Sequence, residues 1–273
     1  MGLIADKHGD LNNHPLVYTL FMLRFPKQTT LDSVVPSIQA SLKKEYPIYE
    51  TRVQQSIEIA QGQDGQSFST FAVTEHLFFD GERKKGILVK DDRVVFHTTV
   101  YPGFVEFSSC FMDATQAVVD ALEISHYESI GIRYVDALIP DYENNESLED
   151  LLDHSLLSFE IDDESISQCV ASRQINHYTT SEGVLVLKAN LLLENDVSVP
   201  PELRDISSLL RFEEKEKKGS FCVLDFDHAF MAPDDTVLEL NLEELVEKVD
   251  KMHDIISRAF LKTINEDNIG KWK

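Results

Sequence analysis

The densest polar constellation in the chain is Asp225-Phe226-Asp227-His228, two carboxylates and an imidazole within four residues. Hard divalent cations take oxygen ligands and an imidazole can extend the set, so this run could seat a metal ion for hydrolysis. Local geometry weighs against it. Phe221 to Met231 reads as a β-strand, and side chains alternate across a strand, so Asp225 and Asp227 share one face while His228 points to the other. A metal site needs more convergent ligands than that. The pair therefore reads first as solvent-facing groups or as partners for a buried arginine, with a metal-dependent hydrolase built on Asp225 and Asp227 as an alternative.

Arg24 and Arg133 supply the candidates for that partner, because each sits inside a run that otherwise looks like a buried strand. An unpaired guanidinium there would cost on the order of several kcal/mol, so it must meet a carboxylate or carbonyls. Asp136, Asp225 or Asp227 could serve. The same fork geometry would also suit a ligand carboxylate or phosphate, which leaves an arginine-anchored pocket as the second use. His253 lies on an apolar helical stripe beside Met252 and Ile256, the setting of a hydrogen-bonded core histidine, and general acid/base work needs a second converging group that the sequence does not identify. His76, His97, His126 and His177 are scattered singly. The chain has neither of the glycine-rich phosphate loops, no G-x-S-x-G elbow and no H-E-x-x-H, and such motifs place phosphates, nucleophiles and metals through local geometry. The sequence thus assigns no catalytic residue and no cofactor.

The elements that must hold these residues follow from hydrophobic period. Pro15 to Phe25 is nearly continuous in apolar and β-favouring residues, the pattern of a strand covered on both faces. Leu31, Val34, Val35, Ile38 and Leu42 form the stripe of an amphipathic helix. Short β-type runs follow at Ile57–Ala60, Phe68–Val73, Gly86–Val89, Val94–Val100 and Phe104–Phe107, divided by turn residues, and predict an antiparallel meander. Asp113 and Gln116 resemble a capping box for a helix running to Leu122. Ser129 to Ile139 reads as another strand, Pro140 to Asn145 as a polar break, and Val170–Tyr178, Val184–Leu193 and Phe221–Met231 as further strands. The chain closes on a long helix capped by Asn241, with Leu242, Leu245, Val249, Met252, Ile256 and Phe260 on one stripe. The expected fold class is α+β, two packed lobes of largely antiparallel sheet with helices across one face. The expected division is a flexible segment at 1–13, an N-terminal lobe at 14–140 and a C-terminal lobe at 141–273.

Composition bounds the partners. With 273 residues, 42% hydrophobic and 27% charged, the chain can bury a core. Its 48 acidic against 25 basic residues give a formal net charge of -23. Nucleic-acid backbones are bound mainly through Lys and Arg, so direct nucleic-acid binding is disfavoured, and an anionic membrane is repelled in the same way. The mixed cluster Arg211 to Lys218 reads as a solvated face. Cys110, Cys169 and Cys222 are far apart and in no C-x-x-C spacing, which speaks against a disulfide framework. The start lacks a signal-peptide pattern and no run approaches a membrane span, so a cytoplasmic protein is expected.

Three segments together resemble a sporadically distributed family of uncharacterised prokaryotic cytosolic proteins: PLVYTLFMLRFP at Pro15 to Pro26, IGIRYVDAL at Ile130 to Leu138, and MHDIISRAFLKTINEDNIGKW at Met252 to Trp272. Pro15, Leu16, Leu23, Arg24 and Phe25 match the family's opening P-L-x-E-V-x-F-x-L-R-F strand. Gly131, Arg133 and Tyr134 match its G-L-R-Y-I-N strand, and His253, Ile256, Phe260 and Trp272 match its L-H-x-x-I-x-x-x-F helix ending in Trp. Tyr18 stands where an acidic residue is usual and Asp136 where Asn is usual. The resemblance implies an accessory gene of the kind found in mobile elements or defence islands, and supplies no established activity, substrate or cofactor. Arg24, Arg133 and Tyr134 are the expected ligand or structural anchors, Trp272 and Phe260 the expected interface residues. The expected function is that of a non-enzymatic acidic subunit, inhibitor or adaptor for a protein with a basic surface, in a phage-defence or toxin-neutralising system; self-association is left open, and a small-ligand sensor or carrier is the alternative.

Overall fold

The computed structural model describes residues 14–62, 65–159, 161, 165, 169–193, 199–212, 219–233 and 236–265, with the backbone alone at 56–71 and 193. The segment 1–13, Trp272 and most of the Arg211–Lys218 cluster lie outside the described residues. Among these residues the elements run β1 (Leu16–Arg24), α1 (Leu31–Leu42), β2 (Ile48–Gly62), β3 (Gly65–Phe79), β4 (Lys85–Lys90), β5 (Arg93–Thr98), α2 (Phe104–Leu122), β6 (His126–Tyr127) and β7 (Ser129–Leu138). They continue through α3 (Leu148–Leu151), β8 (Ala171–Thr180), β9 (Gly183–Leu193), α4 (Arg204–Ser207), β10 (Ser220–Met231), β11 (Leu238–Glu239) and α5 (Leu242–Thr263). No described helix is long and apolar enough to cross a membrane.

The class is α+β, with a large antiparallel sheet and a long C-terminal helix. Both halves of the chain enter one nine-stranded sheet in the order β2-β3-β4-β5-β1-β7-β10-β9-β8. The two halves repeat a topology: in each, the first strand pairs with the last (β1 with β5, β7 with β10), and the two first strands pair with each other at the centre. The polar break at Pro140 to Asn145 follows β7, so the sheet continues across it.

Two elements differ from their sequence expectation. Phe104 to Phe107, a short β-favouring run, is the first turn of α2, which begins nine residues before the expected cap at Asp113. Phe104, Phe107 and Phe111 lie three and four apart, so the helical face extends upstream and burial of Phe107 and Phe111 overrides local β propensity. β2 and β3 form one hairpin with fifteen register pairs, from Ile48↔Phe79 to Gly62↔Gly65, longer than the apolar runs within it.

The sheet's two faces are covered differently. One carries Phe21, Leu23, Phe78, Phe96, Ile132 and Phe226 under α1, α2 and α5, with Phe21 stacked on Phe111 at 4.1 Å between ring centroids. The other carries Tyr18, Leu77, Phe79, Leu88, Val95 and Val223, closed by Val199, Leu203 and Leu210 of a strap that includes α4. β7 is buried along its whole length because it lies at the centre of the sheet between both layers. On the strap side the chain approaches closely at Gly86, where a Cβ would stand 2.5 Å from His97 Nε2 and 3.1 Å from Leu210. Gly86→Ala is therefore expected to lower stability by about 1–3 kcal/mol in urea unfolding.

Candidate functional site

Three strands and the strap bring the sequence's charged candidates together on one face of the sheet. In the β7–β10 register Arg133 faces Asp227 and Val135 faces Asp225, while Lys188 on β9 faces Asp225. Residues directly opposite in a ladder share a face, so these side chains converge. Arg133 Nε donates to Asp225 Oδ1 at 2.7 Å and its Nη2 donates to Oδ2 at 2.6 Å, a bidentate pair in which Asp225 is fully buried. Nη2 also donates to Glu202 Oε1 at 3.0 Å, Nη1 lies 3.5 Å from Asp227 Oδ2, and Lys188 Nζ lies 3.4 Å from Asp225 Oδ2 and contacts Glu202. Burial by itself would lower the Arg133 pKa, but its hydrogen bonds and charge contact with Asp225 outweigh it and the pKa rises. Burial would likewise raise Glu202, yet Lys188, its own backbone N–H and Arg133 together hold it at about 2.

Glu202 and Asp205 make the strap a double staple. Asp205, three residues on, accepts from Arg52 Nη1 at 2.9 Å and from Gln54 Nε2 at 2.7 Å, and Arg52 in turn holds the buried Glu75 at 2.6 Å. Lys90 contacts the other oxygen of Glu75.

The remaining candidates disperse. Arg24 is at the end of β1 with its side chain 45% exposed, paired with Glu128 at 3.0 Å and near Asp92 at 3.9 Å. The expectation of a buried Arg24 is corrected: it is the last residue of a central strand, where the strand end meets water. Asp136 is not a partner of Arg133, because an offset of three residues along β7 puts the two on opposite faces. Tyr134 and His253 meet on the helical face, where Tyr134 Oη and His253 Nδ1 are 2.9 Å apart and the imidazole stacks on Phe104 at 4.0 Å and 2°. His228 also turns to that side, as alternation requires, with Nδ1 3.2 Å from the Met252 carbonyl and Nε2 2.9 Å from Thr180 Oγ1. Phe260 packs against Phe226 at the core margin. Asp225 thus spends both oxygens on Arg133, one of them near Lys188 as well, while Asp227 sets one oxygen 3.5 Å from Arg133 Nη1. Among the described residues no three His, Cys, Asp or Glu side chains are grouped to hold a metal ion.

The residues missed from sequence lie in the connection from β7 to β8. Between Arg133 and Arg173 there is no Lys or Arg, and from Asp141 to Glu164 every charged residue is acidic. That run was legible as a block of like charge. What could not be read was its anchorage. Leu151, Leu152 and Leu156 are buried in the core, Asp153 N donates to the Thr263 carbonyl at 3.0 Å, and Asn265 N donates to the Leu151 carbonyl at 2.9 Å, so the connection is tied to the end of α5. Ser147 and Asp150 form a capping box for α3, and these hydrogen bonds hold the exposed Asp150 carboxylate below its usual range. Tyr142 Oη donates to the Ser220 carbonyl, and its ring sits where a Cβ at Gly219, φ +77°, would come within 2.9 Å. Between this connection and the ends of β8, β9 and β10 opens a cleft of ≈ 630 Å³, lined in part by Tyr142, Glu149, His154, Ala171, Ser172 and Ser220. A scan of protein-family models returns no match to the chain, and a search of curated proteins returns no significant relative.

Removing one partner of a buried ion pair strands the other charge, so Asp225→Asn is expected to cost about 3–5 kcal/mol. Glu202→Gln, at a side chain 47% exposed, is expected to cost under about 1 kcal/mol. Urea unfolding of both variants separates the two values.

Stability should also peak near neutral pH. Burial lowers His97 to about 3 and His253 to about 4 from the ordinary 6.5. The unfolded chain then binds more protons at these sites below 6.5, and stability falls as pH drops from 6.5 toward 4. Burial, aided by Asp225, raises Asp136 to about 8 from 3.8. Here the folded state holds the extra proton, so stability is lost as pH rises toward 8. The histidines outnumber Asp136 below 6.5 and Asp136 acts alone above it. Asp136→Asn should flatten the alkaline limb of a melting-temperature profile and steepen the acidic limb, where Asp136 otherwise offsets part of the histidine effect.

Proposed function

We propose that the protein is a non-enzymatic binding protein, a subunit, inhibitor or adaptor, whose acidic surface recognises a partner with a basic surface. The observation that carries this reading is how unevenly the charges are spent. Arg52, Lys90, Arg133 and Lys188 are consumed in internal pairs with buried Glu75 and Asp225, while the run from Asp141 to Glu164 has no Lys or Arg in sequence and its Glu143, Glu149 and Asp150 stand exposed. A fixed anionic surface of this kind speeds encounter with a cationic one and repels nucleic acid. The cytoplasm is the setting proposed, and a phage-defence or toxin-neutralising system is the proposed context, on the family resemblance alone.

The ligand-carrier and hydrolase alternatives have less support. Arg133 already carries Asp225 on two of its nitrogens and Glu202 as well, and its side chain is 9% exposed. Asp225 and Asp227 serve the same cluster.

The test is capture from the native host at about 0.05 M against about 0.5 M salt, where screening lengths differ severalfold. A basic protein is expected to be retained at low salt, released at high salt, and to rebind when purified. Neutralising Glu143, Glu146 and Glu149 together to Gln should slow that association roughly tenfold while leaving the melting temperature unchanged. A stable monomer that retains no basic protein at either salt concentration overturns the reading.

A further inference from the structure

The sheet ends at β8, and among the described residues no strand pairs with its outer side. Natural sheets blunt such edges with proline, bulges or charges turned inward. β8 has none of these. All ten of its residues pair with β9 in unbroken register from Ala171↔Leu192 to Thr180↔Gly183, and the strand contains no Pro, Asp, Glu or Lys. Its one arginine, Arg173, donates from Nε to Asn190 Oδ1 at 2.7 Å, across to β9 and away from the free edge. Apolar surface gathers here too: Val170 is 64% exposed and Ile175 50%, and Phe159 in the connection before β8 is 86% exposed. A straight row of backbone groups with alternating half-exposed side chains is the surface that accepts an added strand.

The charge around that edge selects what is added. The carbonyl of Leu157, within the acidic connection, accepts from Gln174 Nε2 of β8 at 3.4 Å, and Glu149 shares the cleft wall with Ala171 and Ser172. Resting on the acidic-binder reading, we propose that the free edge of β8 takes an extended segment of the partner carrying lysine or arginine at alternating positions. Its backbone completes a tenth strand, and its basic side chains meet the acidic connection, whose Glu149 lines the cleft at the Ala171 end. A second copy of this chain is a poorer occupant, since edge-to-edge pairing would draw two acidic connections together in a molecule of net charge -23.

Two capped peptides of equal charge test the inference, one alternating lysine with valine and one repeating lysine followed by two prolines, which leaves donors too sparse on either side to pair as a strand. The lysine–valine peptide is expected to bind at least roughly tenfold more tightly and to protect β8 amides from hydrogen exchange. Adjacent residues of an edge strand point their N–H groups to opposite sides, so of Gln174→Pro and Ile175→Pro one disrupts the β9 ladder and the other only the free edge. The variant that keeps the wild-type melting transition is expected to lose the preference for the lysine–valine peptide. Equal binding of both peptides, or an unchanged preference in that variant, overturns strand addition and leaves the charge-based reading standing. A dimer in light scattering that the same variant dissolves also overturns it, in favour of a second copy. Failure of both peptides while a purified basic partner still binds removes the edge site, and failure of that partner as well removes the underlying reading.

Discussion

The bidentate pair between Arg133 and Asp225 is the constraint around which the rest is arranged. It joins β7 and β10 at the middle of a nine-stranded sheet, with Asp225 fully buried and the Arg133 side chain 9% exposed. Two desolvated charges are tolerable only when each satisfies the other and the remaining hydrogen-bonding positions are filled. Glu202, Asp227 and Lys188 fill them. The strap from Val199 to Phe212 is thereby drawn onto this face, where its leucines close the second hydrophobic layer. A helix-covered sheet with its other face open to water would not tolerate Tyr18, Phe79 and Phe221 there. The ion cluster and the apolar strap residues solve that problem together.

Function follows from the same distribution. Several cations of the sheet are committed to buried carboxylates, so what remains on the periphery is an excess of acid, concentrated in the connection that leaves β7 and returns as β8. That connection is held near its middle, with Leu151, Leu152 and Leu156 in the core and its backbone at Leu151 and Asp153 hydrogen-bonded to the end of α5. The described carboxylates from Asp141 to Asp153 therefore stand at defined places on the surface. It also lies beside β8, whose outer side pairs with no strand among the described residues, which places backbone donors and acceptors next to an anionic field.

Much of the framework was legible in the residues. Continuous apolar runs at Pro15–Phe25 and Ser129–Ile139 marked the two central strands, because a strand covered on both sides has no polar alternation. The stripe from Leu242 to Phe260 and its Asn241 cap marked α5, whose cap accepts from the N–H groups of Glu243 and Glu244. The need to neutralise Arg133, and Asp225 and Asp227 as its candidate partners, could be stated from burial cost alone. Arg24 was misread because strand ends carry the same composition as strand interiors, and only the position within the sheet tells them apart. Phe104 was misread because four residues with two phenylalanines fit either period.

What the sequence determined by itself is local and additive: strand and helix periods, the cap of the last helix, the excess of 48 acidic over 25 basic residues, and the rule that a cation in an apolar strand must be paired. Which carboxylate does the pairing was decided by register. A shift of one residue turns every side chain to the other face, so Asp136, near in sequence, faces the helices while Asp225, ninety-two residues away, meets the guanidinium. Strand order likewise lies outside local pattern, since β1 pairs with β7 across more than a hundred intervening residues. Only the folded chain decides that the two halves share one sheet, that its outer strand is β8, and that the acidic connection lies against it.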